Sequence, residues 1–303
     1  MNFVVIFSGQ GLQSIQHIQE VQAGAEEYAL NLENLSDQLA SLELQKKPET
    51  IFENQFAQPF IFTLQYLRWQ KIMAQLPEPE LLAGYSLGEA SAFCCSANMD
   101  FPQSLQLISK RAEFMSQHSP ENSGLVSIQG LNSEQLLPLL KSTQTEISIK
   151  LNEAHYIIGG TDSELEQLLQ SAQSHGAQNA SKLKVSIPSH TSFLKKAADD
   201  FSTYLHQQSL NRMNFSLISA SHGQKYSLTQ DAISILSEQI DHALNWYNCM
   251  ETIQEYQPDV ILEIGPGNAL TRMINQVMPN VHARSIDDFS SMDGVKNWIS
   301  KFM

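Results

Sequence analysis

Positive charge is scarce in this sequence. Lys and Arg number 18 against 32 Asp and Glu, giving a formal net charge of −14 over 303 residues. No dense Lys/Arg run appears, so a nucleic-acid-binding role is disfavoured. Cysteine is also scarce. Cys94, Cys95 and Cys249 form no spaced framework, which fits a reducing compartment. No apolar run approaches the length of a membrane span. The start "MNFVVIFSGQG" lacks the basic region and small-residue cleavage site of a signal peptide. No His/Cys/Asp/Glu spacing suggests a metal site, and no Gly-Lys-Ser/Thr ending marks a phosphate loop. These absences together read as a cytoplasmic protein. With 42 % hydrophobic and 17 % charged residues, it is expected to be soluble and globular. Its length suits one large domain or a large domain with a smaller one.

What is present begins with "LLAGYSLGEASAF", Leu81 to Phe93. An apolar run, predicted as a strand over Leu81–Gly84, runs into Gly-Tyr-Ser-Leu-Gly and then a predicted helix over Leu87–Ala97. The G-x-S-x-G pattern centred on Ser86, in this strand–helix context, is a nucleophile elbow: a strained turn flanked by small residues that presents the Ser hydroxyl. The backbone N–H of Leu87 would then lie at a helix N-terminus, aimed at an oxyanion formed when Ser86 attacks a carbonyl. The alternative is a tight turn in which Ser is merely small.

The rest of the chain alternates strands and helices, implying a mainly parallel sheet covered on both faces. Asn2–Phe7 reads as a buried strand and "SGQGLQ" as a loop. Two helical stretches follow, the clearer at Gln58–Leu76 with Pro59 in its first turn, and a further helix is expected at Phe101–Gln117. Residues 122–189 change character. Strands in "GLVSIQGL", "EISIKLN", "AHYIIGG" and "ASKLKVSIP" alternate with helices in "NSEQLLPLLKS" and "TDSELEQLLQSAQSHG". The order β-α-β-β-α-β is ferredoxin-like. The expected organisation is a large α/β domain over 1–121 and 190–303 with a small inserted domain over 122–189. Strands are also expected at Asn214–Ala220 and Asp259–Gly265, the latter leading through "GPG" into a helix.

A nucleophilic Ser needs a base. Of nine histidines, His190 in "SIPSHTSF" has the most suggestive setting, after a strand and a proline at the domain junction. His17, His118, His175, His206 and His222 read as surface residues. In "SGQG" the Gln10 N–H could be a second oxyanion donor, although a simple turn explains the glycines equally. Arg111 is either a solvated helical residue or a clamp on a substrate carboxylate. Cys94 and Cys95 are expected in the core.

The motifs "FSGQGLQ", "FAQPFIF", "GYSLGE", "SKRAEFM", "VSIPSHTSF" and "LEIGPGNALTRM", in this order along nearly the whole chain, resemble the malonyl-CoA:acyl-carrier-protein transacylase family. The resemblance implies an α/β-hydrolase-like large domain and a set of roles. Ser86 matches the nucleophile and His190 the base. Gln10 and Leu87 match the oxyanion donors, Arg111 the arginine that pairs with the malonyl carboxylate, and Gln58 a glutamine beside it. The family orients its histidine by a backbone carbonyl, for which Asn245 in "HALNWYN" is the matching position. Malonyl-CoA would be the substrate, the prosthetic-group thiol of an acyl carrier protein the acceptor, and no cofactor would be bound.

The usual elbow of the family is G-H-S-x-G, and Tyr85 replaces that His. With the tail "ARSIDDFSSMDGVKNWI", this makes the chain most similar to the malonyltransferase subunit of bacterial malonate decarboxylase, which would add other subunits of that complex as partners. The transacylase of fatty-acid or polyketide synthesis is the alternative. A serine hydrolase and a non-catalytic scaffold are further rivals. Because carrier proteins are acidic, docking calls for a local positive patch, and Lys182, Lys184, Lys195 and Lys196 around His190 are the candidates.

Overall fold

Phe3–Phe7 are five consecutive buried apolar residues, and they form the strand β1 at the centre of a sheet. Period-two alternation gives each side chain one of two cores. Phe3, Val5 and Phe7 enter the larger apolar cluster, while Val4 and Ile6 enter a second one. A strand buried on both faces cannot alternate with polar residues, which is why this segment is apolar throughout.

The computed structural model describes residues 1–32 and 48–303. After β1 come α1 (Ile15–Glu27), α2 (Asn54–Gln75), β2 (Leu81–Gly84), α3 (Leu87–Ser96) and α4 (Phe101–His118). Then follow β3 (Ser123–Gln129), α5 (Ser133–Thr143), β4 (Glu146–Asn152), β5 (His155–Thr161), α6 (Asp162–Ser174) and β6 (Asn179–Lys182). The chain continues through α7 (Lys195–His206), β7 (Leu217–Ile218), β8 (Lys225–Tyr226), α8 (Thr229–Glu238), β9 (Leu244–Asn245) and α9 (Trp246–Glu255). It closes with β10 (Val260–Glu263), α10 (Ala269–Val277), β11 (His282–Ser285) and α11 (Met292–Ile299).

The first sheet has the order β11-β10-β1-β2-β7-β8 and is parallel except for the short β7–β8 pair. The second has the order β6-β3-β5-β4-β9. One face of the second sheet, through Leu125, Ile149, Leu151 and Ile157, shares a core with Val4, Ile6, Leu81 and Ala83 of the first. Its other face is covered by α5 and α6, with Leu136, Leu140, Leu165 and Leu168 buried. The two sheets therefore meet through a continuous apolar seam.

The bounds of some expected elements change. The helix expected from Gln58 begins at Asn54, so Pro59 lies inside it rather than in its first turn. The final strand expected over Ala180–Pro188 pairs only as Asn179–Lys182, leaving an irregular run before His190. The strand β9, which follows residue 189 in the chain, pairs in parallel with β4 at the edge of the second sheet.

Candidate active site

The elbow is set by steric limits. Ser86 has φ 56 and ψ −116, a left-handed φ unusual for a residue with a side chain, and it immediately precedes α3. A Cβ on Gly84 would lie 2.2 Å from the Glu89 nitrogen, and one on Gly88 would lie 2.0 Å from the Phe7 carbonyl oxygen. Only glycine fits either position. The Tyr85 N–H donates to the Phe7 carbonyl at 2.9 Å, which ties the turn to the central strand. As the first N–H of α3, that of Leu87 belongs to the orphan donors of a helix N-terminus.

Ser86 Oγ lies 2.7 Å from His190 Nε2. The imidazole is buried and its residue also has a left-handed φ, of 62. The backbone N–H of His190 donates to the Ile240 carbonyl at 2.8 Å, and Nδ1 meets the carbonyl of Gln239. A carbonyl only accepts, so Nδ1 carries the proton and Nε2 is left to accept from Ser86. Burial, and then the nearby charge of Arg111, pushes the imidazole down to about 3, so it is neutral at rest.

This geometry corrects the position assigned to the orienting carbonyl. Asn245 lies in β9, where its N–H donates to the Ala220 carbonyl at 2.8 Å and its side chain accepts from Asn248 N–H at 3.1 Å to cap α9. The carbonyl on His190 belongs to Gln239, the residue that ends α8. Carbonyls of a last helical turn have no donor within the helix, so they are available to an outside N–H. That was the available signal: an amphipathic helix ending just before the matched motif.

Arg111 is buried, with Nη1 donating to Gln58 Oε1 at 2.7 Å and Nη2 to Gln239 Oε1 at 2.9 Å. Its Nε has no partner among the described residues. Burial pushes the guanidinium down to about 10, which keeps it charged at neutral pH. Two neutral amides thus hold a cation whose charge they do not cancel. Gln58 is itself steadied by donating to Asn54 Oδ1 at 2.6 Å. Gln239 therefore touches His190 with its backbone and Arg111 with its side chain.

Gln10 lies on the loop after β1. Its neighbour Ser8 donates to Glu263 Oε1 at 2.7 Å, and Gln65 Nε2 donates to the carbonyls of Ser8 at 2.8 Å and Gly265 at 2.7 Å. These bonds fix the loop against the "GPG" turn. Gln10 and Tyr85 line a cavity of about 250 Å³ that is walled by Leu151, Ile157 and Met273. His190, Ser192 and Lys195 line a second, wider cavity of about 680 Å³. The structure thus brings Ser86, His190, Arg111 and Gln58 into one hydrogen-bonded constellation through Gln239. The sequence reading missed Gln239, Asn54 and Glu89, the last of which accepts on its side chain from Gln239 Nε2 at 2.6 Å. A lone charged residue in "LGEASAFCCS", a segment otherwise of apolar and small residues, was a readable sign of a buried, partnered carboxyl.

The four lysines are less uniform than expected. Lys182 pairs with Asp162 at 2.7 Å, Lys195 with Asp199 and Lys196 with Asp200. Among the described residues Lys184 pairs with no carboxylate, and its Nζ sits 5.5 Å from the Phe52 ring centroid. Among the described residues there is no group of three or more His, Cys, Asp or Glu side chains able to hold a metal ion, and no helix is long and apolar enough to cross a membrane.

An elbow serine paired with a buried histidine, built on this sheet, is the apparatus of acyl transfer, and the pattern of the acyl transferase domain family matches residues 4–296. The chain belongs to that family and is an acyltransferase. The malonyl CoA-acyl carrier protein transacylase of Haemophilus influenzae is 26 % identical over 312 residues, covering 98 % of this chain and 99 % of that protein. The polyketide biosynthesis transacylase PksC of Bacillus subtilis, which also carries the malonyl CoA-acyl carrier protein name, is 27 % identical over 288 residues and covers 92 % of this chain and 98 % of its own. The crystal structure of FabD from Acinetobacter baumannii shares the fold, with a TM-score of 0.86 at 24 % identity over 100 % of this chain and 99 % of that one.

Proposed function

We propose that this chain moves a malonyl group from malonyl-CoA to the prosthetic-group thiol of an acyl carrier protein through a malonyl-Ser86 ester. The observation that carries the proposal is the placement of Gln239 between the Ser86–His190 pair and the buried cation of Arg111. Ser86 Oγ attacks the thioester carbonyl while His190 Nε2 takes its proton. The N–H groups of Gln10 and Leu87 hold the oxyanion. As the C–S bond breaks, CoA leaves as the thiol with the proton from His190. The carrier thiol then gives its proton to His190, attacks the ester and releases Ser86 with that proton, so the enzyme is restored. Arg111, beside Gln58, selects the acyl group, because a malonyl carboxylate pairs with its charge and an acetyl methyl does not.

The named relatives are transacylases that act on malonyl-CoA and an acyl carrier protein, and this supports a carrier of fatty-acid or polyketide synthesis as the acceptor. A solved complex of a type II PKS acyl-carrier protein with its malonyl-transacylase, with a TM-score of 0.83 to this chain, supports the same kind of partner. The second reading is the malonyltransferase of malonate decarboxylase, which Tyr85 and the C-terminal motif favour. We also read 122–189 as a ferredoxin-like insert in an α/β-hydrolase-like domain, on the strand order β6-β3-β5-β4. Three buried free cysteines suit a cytoplasmic setting.

The test is intact-protein mass after brief exposure to malonyl-CoA, for wild type and Ser86→Ala, followed by purified carrier proteins. The expected result is a malonyl adduct on wild type alone that discharges onto a carrier. CoA release without an adduct overturns transfer in favour of hydrolysis. Discharge onto a malonate decarboxylase carrier, and not onto a fatty-acid or polyketide carrier, establishes the second reading.

A further inference from the structure

Glu89 is fully buried on α3, three residues after the nucleophile, yet its carboxylate hydrogen-bonds to neither Ser86 nor His190. It accepts from the Gln239 side-chain amide at 2.6 Å, from the Ala220 N–H at 3.2 Å and from the Tyr226 hydroxyl at 3.0 Å. We propose that Glu89 is a positioning residue that fixes which way the Gln239 amide points, and so sets acyl-group selection by Arg111. The inference rests on the malonyl reading above.

A primary amide has a donating end and an accepting end. A guanidinium only donates, and a carboxylate oxygen accepts. Between Arg111 and Glu89, the Gln239 amide satisfies both neighbours in one orientation alone: Oε1 toward Arg111, Nε2 toward Glu89. The reverse would place N–H groups against N–H groups in a dry site, where each unmade hydrogen bond is costly. Without an acceptor at position 89, the amide has no reason to hold the observed orientation. Arg111 needs that orientation, since among the described residues Nε is unpartnered and only Gln58 and Gln239 anchor its two terminal nitrogens. The His190 contact runs through the Gln239 backbone, so Glu89 reaches the specificity residue by a route separate from the general base. Burial pushes the Glu89 carboxyl up to about 7. Its role survives protonation, because either form keeps an oxygen that can accept from Gln239.

The measurement is the ratio of kcat/KM for malonyl-CoA to that for acetyl-CoA, in wild type, Glu89→Gln, Glu89→Met, Gln239→Met and the double Met variant. A Gln at 89 can still offer an oxygen to Gln239 while its NH2 donates to the Tyr226 oxygen, so its ratio should stay within about threefold of wild type. Glu89→Met fills the volume but offers no acceptor, and its ratio should fall by at least about tenfold. The double variant should fall no further than Gln239→Met alone, because both changes remove one shared contact. If Glu89→Met does not fold, Glu89→Asp replaces it: the carboxyl group stays, the acceptor retreats by a methylene, and the ratio should again fall. A wild-type ratio in Glu89→Met or Glu89→Asp overturns the inference. So does a loss in Glu89→Gln as large as in Glu89→Met, or independent losses in the double variant. A wild type with no malonyl preference overturns the functional reading instead.

Discussion

The Nδ1 of His190 faces the main-chain carbonyl of Gln239, so the histidine is oriented by a neutral acceptor. No partner charge supports an imidazolium, burial opposes it, and Arg111 opposes it further, which together hold the group at about 3. An unperturbed histidine would be half-protonated near pH 6.5 and would lose its function as a base below that. Here the acid limb of kcat/KM for malonyl-CoA should be absent down to about pH 5. Removing the Arg111 charge removes one of the two depressing causes. The acid limb of Arg111→Ala, followed with acetyl-CoA, should therefore move to higher pH. A limb near 6.5 in wild type would show that the imidazole is wetter than the structure has it.

Arg111→Ala should separate acyl choice from nucleophile chemistry. The guanidinium is buried, and only neutral amides hydrogen-bond to its terminal nitrogens, so on the proposed reading its charge is there for a substrate carboxylate to pair with. Losing one side of a buried pair costs about 3–5 kcal/mol, or roughly two to nearly four decades in kcat/KM. That loss is expected for malonyl-CoA, with acetyl-CoA changed by far less. Steady-state rates with both thioesters decide it, and equal losses would place the clamp elsewhere.

Gly88→Ala should destroy the elbow. The added Cβ would sit 2.0 Å from the Phe7 carbonyl oxygen, and that oxygen belongs to the central strand and cannot retreat. Relief requires α3 to move away from β1, which carries Ser86 off His190. A loss of about 4 kcal/mol or more, or failure to fold, is expected. Urea unfolding of the purified variant reads this directly.

The sequence made local features legible and long-range ones only by resemblance. Ser86 could be read because the elbow is a short-range device, with Gly84, Gly88 and the flanking apolar runs within a few residues. β1 could be read because burial on both faces leaves a continuous apolar run. Gln239 could not, because its two roles use a backbone carbonyl and an amide whose partners lie 49 and 128 positions away. The short pairing of the segment before His190 was also hidden: "ASKLKVSIP" alternates as a strand does, but only Asn179–Lys182 finds a partner strand. The lysines near His190 looked like a patch because their acid partners, at four positions on in α7 or across a loop, are visible only once the helix is drawn.

Those ion pairs change what charge reversal should do. Lys195 and Lys196 each hold an aspartate one helical turn on, so their fields are already cancelled at short range. Lys184, on a cavity of about 510 Å³ and without such a partner among the described residues, keeps its field. Lys184→Glu should raise the KM for an acidic carrier protein or for CoA by about five- to tenfold at low salt, an effect that should vanish by 0.5 M salt. Lys195→Ala should change the carrier KM less than about twofold. The reverse ranking would place the docking face on α7.

Glu89 and His190 make opposite contributions to stability as pH falls. The folded His190 is held at about 3, below its ordinary 6.5, so from pH 6.5 down to about 3 the unfolded chain binds a proton that the folded one does not. That term lowers stability as pH falls. The folded Glu89 is raised from 4.5 to about 7, so between these values the folded chain binds a proton that the unfolded one does not. That term raises stability as pH falls and is lost as pH rises through 7. From pH 6.5 to 4.5 the two terms offset each other, each having a slope of about 1.4 kcal/mol per pH unit. Glu89→Gln removes only the second. Relative to wild type it should therefore lose about 1.4 kcal/mol for each pH unit between 6.5 and 4.5, with the remaining titrating groups common to both proteins. Urea midpoints of the two proteins at pH 6.5, 5.5 and 4.5 give the difference. Parallel curves would mean that Glu89 is ionised in the fold down to its ordinary range, and that the Tyr226, Ala220 and Gln239 donors outweigh its burial.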